Sequence, residues 1–373
     1  MDYVEVLRRE ELPVDTQTVV VVGGVRVALF NREGEISAIG NTCLHKGGPL
    51  AQGKISRKDD GWYVSCPWHG WDYNLKTGKA PAGYHDQQSV YDVKVEDEKI
   101  FVSTRPTVRA VRAEHDMTPI ADLLSLEYQT TPASLNVLGI STTNMNEELP
   151  RASTSEMALE LALVIAEKDH GASTKMIKLR DARFRACEGY YSQSEKACTW
   201  PCSISEMDIH DGMNPVYRAM VLWADIVLLA TPIRWGNASA LYYKMIERLN
   251  CVQNQITLHD RILIKNKVAA FLITGGQDNI QSVAGQMLVF FSDIGFAIPP
   301  FPFVGWSRGW IAEDMEHNVS SFARSRYIRR SVKELVKNSV MLSRQIKTTP
   351  VIEMHTPLPR IMEAPSNVKE NPS

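Results

Sequence analysis

"CPWHGWDYNLKTG", residues Cys66–Gly78, sets a cysteine and a histidine three positions apart in a stretch that otherwise reads as turn and strand. A second pair lies upstream in "CLHKGGPLAQG", residues Cys43–Gly53, as Cys43 and His45. Glycine follows each histidine closely, which lets the two loops approach one another, and each loop leaves the end of a β run. Two thiolates and two imidazoles converging are a metal-ligand set. On residue types alone a structural zinc uses the same four side chains, and an isolated C-x-x-H more often binds nothing.

Outward from these loops, residues 1–103 alternate apolar and polar positions in short runs such as "TVVVVGGVRVALFN" and "VYDVKVEDEKIFVS", separated by Gly, Asn and Asp turns. That pattern predicts an all-β domain. Residues 104–134 carry prolines and mixed charge and predict a linker with one short helix. From 135 to 347 the rhythm changes to apolar strand, polar turn, amphipathic helix, in "LNVLGIS", "TKMIKL", "ADIVLLATP", "KVAAFLITGG" and "FVGW". Strands alternating with helices predict a parallel sheet covered on both faces, so the fold class is multidomain, all-β followed by α/β. Residues 348–373 read as a disordered tail.

The whole chain of 373 residues has a formal charge of −2 and 23% charged residues, so no overall field points to nucleic acid or an anionic membrane. No stretch reaches the roughly 18 apolar residues of a membrane span. The N-terminus lacks a basic start and an apolar run, and six cysteines are few for a disulfide scaffold of this length, so the expected location is cytoplasmic.

With both loops in view, the first region resembles the Rieske iron-sulfur family in its ferredoxin-like and oxygenase-associated branch. By that resemblance Cys43 and Cys66 ligate one iron of a 2Fe-2S cluster, and His45 and His69 ligate the other. Neutral imidazoles in place of two thiolates raise the potential into the range of about −150 to +300 mV. Two departures stand out. The gap between His45 and Cys66 is extended at "SRKDDG", read as a longer hairpin, and the additional loop cysteines of cytochrome-complex members are missing. His85 and His115 read as surface residues, and His69 reads as an electron port at the surface.

In the second region Ser141 ends a buried strand, and Ser153, Thr154 and Ser155 open a helix. Hydroxyls, backbone N–H groups and the positive helix end there suit a phosphate, although "STSE" alone also reads as an ordinary N-cap. Two further loops, "TPIRWGN" and "TGGQDN", follow later strands, and ligands of open α/β sheets bind at that carboxyl edge. Together the loops resemble flavodoxin-like NAD(P)H-dependent FMN reductases and related iron-sulfur flavoproteins. The resemblance implies a five-stranded parallel sheet in the order 2-1-3-4-5. It also implies that the first loop binds the FMN phosphate, that Thr231, Pro232, Ile233, Arg234, Trp235, Gly236 and Asn237 border the isoalloxazine, and that Thr274, Gly275, Gly276 and Gln277 contact its edge. Dimers or tetramers are common in that family, so a homo-oligomer is expected. Cys187, Cys198 and Cys202 are read as packed thiols, with a remnant cluster site or a regulatory disulfide as alternatives.

FMN takes two electrons from a nicotinamide, whereas a Rieske cluster takes one at a time, so the pairing splits electron pairs. The leading expectation is an oxidoreductase passing electrons from NAD(P)H through FMN and the cluster to an external acceptor such as an oxygenase. A quinone or flavin reductase with an accessory Rieske part and a non-catalytic redox sensor are the alternatives. A Rieske oxygenase is disfavoured, because no two-His, one-carboxylate iron site follows. The basic helix around "ARSRYIRRSVKELVKNSV" is either a docking surface for an acidic partner or a solvated face.

Overall fold

The valine-rich alternation of the N-terminal region forms three small antiparallel sheets in the computed structural model, which describes residues 2–81, 85–113, 117–128, 134–145, 152–192, 197–198, 200–275, 279–307 and 317–350. Their strands are β1 (Tyr3–Arg8), β2 (Gln17–Val22), β3 (Val25–Arg32), β4 (Glu35–Gly40), β5 (Lys54–Lys58), β6 (Gly61–Ser65), β7 (Asp72–Asn74), β8 (Val90–Tyr91), β9 (Val93–Glu96) and β10 (Lys99–Ser103). The sheets run β1-β10-β9, β2-β3-β4-β8 and β5-β6-β7. Alternate residues of the first two, among them Val20, Val27, Leu29, Ile100 and Val102, share one buried core, as the period of two in a strand requires. β5 and β6 make the expected hairpin, with Lys58 opposite Gly61.

The second region holds α1 (Ala121–Ser125), β11 (Asn136–Ser141), α2 (Thr154–His170), β12 (Ser173–Lys178), α3 (Ser203–Met207), α4 (Met213–Tyr217), β13 (Ile226–Pro232), α5 (Ala240–Arg248), α6 (Asn250–His259), β14 (Val268–Gly275), α7 (Ile280–Asp293), β15 (Phe303–Ser307), α8 (Asn318–Arg324) and α9 (Arg326–Thr348). Its strands form one parallel sheet in the order β12-β11-β13-β14-β15, which is 2-1-3-4-5 within the region. Every residue of β11, β13 and β14 is buried. That follows from helices on both faces: Val268, Ala270 and Leu272 join a core with α2 and α9, while Phe271, one step out of phase, packs edge-on to Phe291 of α7.

The basic helix is α9. Its Ile328, Val332, Leu335, Val336 and Val340 recur at helical spacing and are buried in that core, so this side serves packing rather than docking. Its exposed Lys333 and Lys347 pair with Asp169 and Asp225 at 2.8 and 2.9 Å.

Two compact units emerge, Met1–Pro119 with Glu188–Cys198, and Ile120–Cys187 with Thr199–Ser373. The stretch expected as a linker is therefore divided. Val111 exchanges backbone hydrogen bonds with Gln87 in the first unit, whereas α1 belongs to the second, where Asp122 pairs with Arg218. The expected disordered tail lies outside the described residues beyond Pro350. No helix among the described residues is long and apolar enough to cross a membrane.

Candidate functional site

Both cysteine loops of the first unit close in the same way. Cys43 N–H donates to the Gly48 carbonyl and Gly47 N–H to that of Cys43, both at 2.9 Å; Cys66 N–H donates to Trp71 and Gly70 N–H to Cys66, at 2.8 and 2.9 Å. These turns aim the side chains of each loop at the other. Only glycine fits at position 48, because a Cβ there would stand 2.6 Å from the Cys66 sulfur.

The donors meet as two pairs. The buried thiols of Cys43 and Cys66 hydrogen-bond each other, which lowers the Cys43 pKa to about 7 and raises that of Cys66. The His45 and His69 Nδ1 atoms face one another at 3.2 Å. Among the described residues no three His, Cys, Asp or Glu side chains gather as a single-metal site requires. A thiol pair beside an imidazole pair suits two irons, one with sulfur and one with nitrogen ligands, better than one tetrahedral zinc.

Supporting groups surround these four donors. The Tyr73 hydroxyl lies 3.7 Å from the Cys43 sulfur and accepts from Leu44 N–H at 3.3 Å. Trp71 stacks on His45 with ring centroids 4.7 Å apart, and its indole N–H donates to buried Asp86 at 3.2 Å. Tyr73 and Trp71 lie within the quoted motif, but Asp86 carries no sequence signal of its role. His85 is exposed as expected, and His115 lies outside the described residues. His69 departs from expectation: it is 0% exposed, whereas His45 is half-buried. The surface port expected at His69 is thus closed, because side chains distant in sequence pack over it.

In the second unit the three expected loops do meet at the carboxyl edge of the sheet. Ser239 donates to the Thr142 carbonyl at 2.6 Å and its N–H donates to the Thr231 hydroxyl at 3.1 Å, tying the first loop to the second. The Thr154 and Thr274 hydroxyls bond at 2.9 Å, tying the first to the third, and Ile233 N–H donates to the Thr274 carbonyl at 2.7 Å. Thr231, Pro232 and Ile233 are buried strand-end residues, while Arg234, Trp235 and Asn237 stand out in solvent. Trp235 is 91% exposed at φ 49°. It therefore fills no space within the fold. A tight turn holds it there: Arg234 and Asn237 exchange backbone hydrogen bonds at 2.7 and 2.9 Å, and Asn279 donates to the Gly236 carbonyl. Gly275 ends β14; Gly276 and Gln277 lie outside the described residues.

The first loop carries a feature that no sequence pattern signals. The Ser141 hydroxyl donates to Glu156 in the first turn of α2 at 2.8 Å. Glu156 is nearly buried and takes a two-point grip from Arg180 at 2.5 and 3.0 Å, with Lys178 at 3.0 Å. Burial works against the carboxylate, but Arg180, Lys178 and Ser141 outweigh it and hold its pKa below the usual range. Ser153 and Ser155 share a hydrogen bond at 3.0 Å. The joined loops, with an aromatic ring presented beside them, fit a flavin nucleotide at this edge, with Ser141 committed to the helix rather than to the ligand.

The remaining cysteines divide between the units. None of the six stands in a disulfide; Cys198 lies in the first unit, and Cys187, Cys202 and Cys251 lie in the second. Cys202 bonds with Cys251, and this contact is the chief cause that brings its pKa down to about 6. Nearby, Arg248 and Asp211 form an ion pair buried on both sides, and Arg248 also donates to the Arg185 carbonyl at 2.8 Å.

Comparison with known proteins agrees with this geometry. Residues 2–110 match the Rieske 2Fe-2S domain, and residues 136–310 match NADPH-dependent FMN reductase. Human apoptosis-inducing factor 3 is 34% identical over 108 residues, 28% of this chain and 17% of that protein. The 3-phenylpropionate/cinnamic acid dioxygenase ferredoxin subunit of Shigella flexneri is 38% identical over 96 residues, 25% of this chain and 79% of that subunit. In the second half, the 8-demethyl-8-aminoriboflavin-5'-phosphate synthase of Streptomyces davaonensis is 26% identical over 127 residues, 34% of this chain and 49% of that enzyme. The chain thus spans about a sixth of the first relative's length and about half of the synthase's. The chain belongs to the Rieske 2Fe-2S family through its first region, to which it joins a flavodoxin-like region matching NADPH-dependent FMN reductase.

Proposed function

We propose that the chain carries electrons from NAD(P)H, by way of FMN and the Rieske cluster, to an external one-electron acceptor. The convergence of two thiols and two imidazole Nδ1 atoms in a chain that also holds an FMN reductase edge carries this reading. Bound FMN supplies the exchange of a nicotinamide's electron pair for single electrons, and the cluster supplies one-electron storage. In this reading Cys43 and Cys66 hold one iron and His45 and His69 the other. Thr231, Pro232 and Ile233, with Thr274 and Gly275, wall the flavin ring. The backbone beside Ser153, Thr154 and Ser155 takes the phosphate, and the reductase half assembles as a homo-oligomer. The name of the Shigella relative, a dioxygenase ferredoxin subunit, favours an oxygenase as acceptor.

Anaerobic NADPH added to the purified chain tests the reading. Bleaching of both flavin and cluster absorption is expected, two electrons entering each flavin and one each cluster, so that three nicotinamides are oxidised for every two chains. Flavin bleaching with an unchanged cluster overturns it. The burial of His69 favours a second reading, a quinone or flavin reductase with an accessory Rieske part. Undiminished quinone turnover in His69→Ala would select that one.

A further inference from the structure

The two imidazoles of the cluster site are unequal, and a residue far along the chain makes them so. Glu188–Cys198 belongs to the first compact unit although the chain on either side of it belongs to the second. Within this segment a 3-10 turn, Tyr190–Ser192, brings the Tyr190 ring edge-on to His69, with centroids 6.0 Å apart and planes at 75°. Its hydroxyl crosses above Gly70, where a Cβ would stand 2.7 Å from the oxygen. Gly70 also has φ 69°, so a side chain is excluded there twice over. The same hydroxyl donates to the Glu188 carboxylate, which fixes the ring's direction. Trp68 covers another side of His69 at 6.4 Å. His69 ends at 0% exposure, while His45, stacked on one face by Trp71, stays half-buried.

We propose that Tyr190 determines which redox partner reaches the cluster site: it closes the His69 edge and leaves the His45 edge as the place where a one-electron acceptor protein docks. This rests on the Rieske reading of the donor set. Electron tunnelling weakens steeply with added distance, so closure of the His69 edge by Tyr190, against a His45 that stays half-buried, directs exchange to His45. Tyr190 acts by exclusion and positioning, with no chemistry of its own.

The test begins with diethyl pyrocarbonate on the full-length, metal-free chain, with His45, His69 and His85 followed by peptide mass spectrometry. In the wild type His45 and the exposed His85 are expected to react at least about tenfold faster than His69, which reacts only through local opening. Tyr190→Ala is expected to bring His69 close to His45 and leave His85 unchanged, whereas Tyr190→Phe, which keeps the ring, stays near the wild type. Equal labelling of His45 and His69 in the wild type, or no rise in Tyr190→Ala, overturns the proposal. A fall in thermal stability with faster labelling of all three histidines would mean general loosening and also counts against it.

The second measurement uses the iron-loaded chain, reduced with dithionite and mixed with ferric cytochrome c, so that each event moves one electron from cluster to haem. Tyr190→Ala is expected to speed this step several-fold. Faster His69 labelling with an unchanged electron-transfer rate makes Tyr190 a packing residue only and overturns its role in partner choice. A chain that binds no cluster fails the proposed function instead, while the labelling result on metal-free protein stands by itself.

Discussion

The Ser141 hydroxyl donates to Glu156 across the first turn of α2, at 2.8 Å, in the loop where a phosphate was expected to claim it. Ser141→Ala should therefore cost about 1 kcal/mol of stability, one buried hydrogen bond, and leave FMN affinity within about threefold. Urea unfolding and FMN titration check the two parts. Glu156→Ala should cost more, about 2–3 kcal/mol, because Arg180 and Lys178 lose their partner. Since the Glu156 pKa is held below its ordinary 4.5, its stabilisation is present above that pH and is lost as pH falls through the folded value. Glu156→Gln should flatten that acid limb.

Tyr73 offers a hydroxyl to the sulfur of Cys43 at 3.7 Å. A thiolate that becomes more negative on reduction accepts such a bond more strongly, so the bond raises the cluster potential. Tyr73→Phe should lower it by about 40 mV, the equivalent of about 1 kcal/mol for one electron, in a spectroelectrochemical titration.

Trp235 stands 91% exposed in a left-handed turn. A bulky residue unpacked in that backbone region adds little to stability, and the proposed flavin site gives its ring a partner. Trp235→Ala should change unfolding free energy by less than about 0.5 kcal/mol and weaken FMN binding about tenfold. Unchanged flavin affinity would remove the residue from the site.

Lys267 begins the turn into β14 and donates to the Ala224 carbonyl from a buried position. Burial pushes its pKa down to about 8, against the pull of Asp225 and with the push of Lys347. Below that pH folded and unfolded chains both hold the proton and the penalty is constant. Between about 8 and the ordinary 10.5 the unfolded chain binds more protons, so this group makes stability rise with pH, by on the order of 3 kcal/mol in all. Lys267→Met should remove the rise; parallel pH profiles of wild type and variant would refute it.

Where a signal is local, the sequence by itself determined the outcome. Cys43, His45, Cys66 and His69 lie in two loops whose glycines and spacing pre-set the turns, so a set of four donors was legible before any contact was known, while its division into a thiol and an imidazole pair came with the family likeness. The parallel sheet was legible from wholly apolar strands alternating with amphipathic helices, because burial on both faces removes the period of two; its strand order came with the family likeness. Only the tertiary structure decided the rest. Ser141 reads as a phosphate ligand until its hydroxyl is seen to donate to Glu156, which Arg180 and Lys178 hold. Cys202 and Cys251 are separated by a strand and several helices, yet bond to each other. His69 reads as exposed until Tyr190, from a segment embedded in the other half of the chain, closes over it. Turn and strand propensities act over a few residues. Which side chain covers a ligand depends on packing between segments distant along the chain, and no periodicity encodes that.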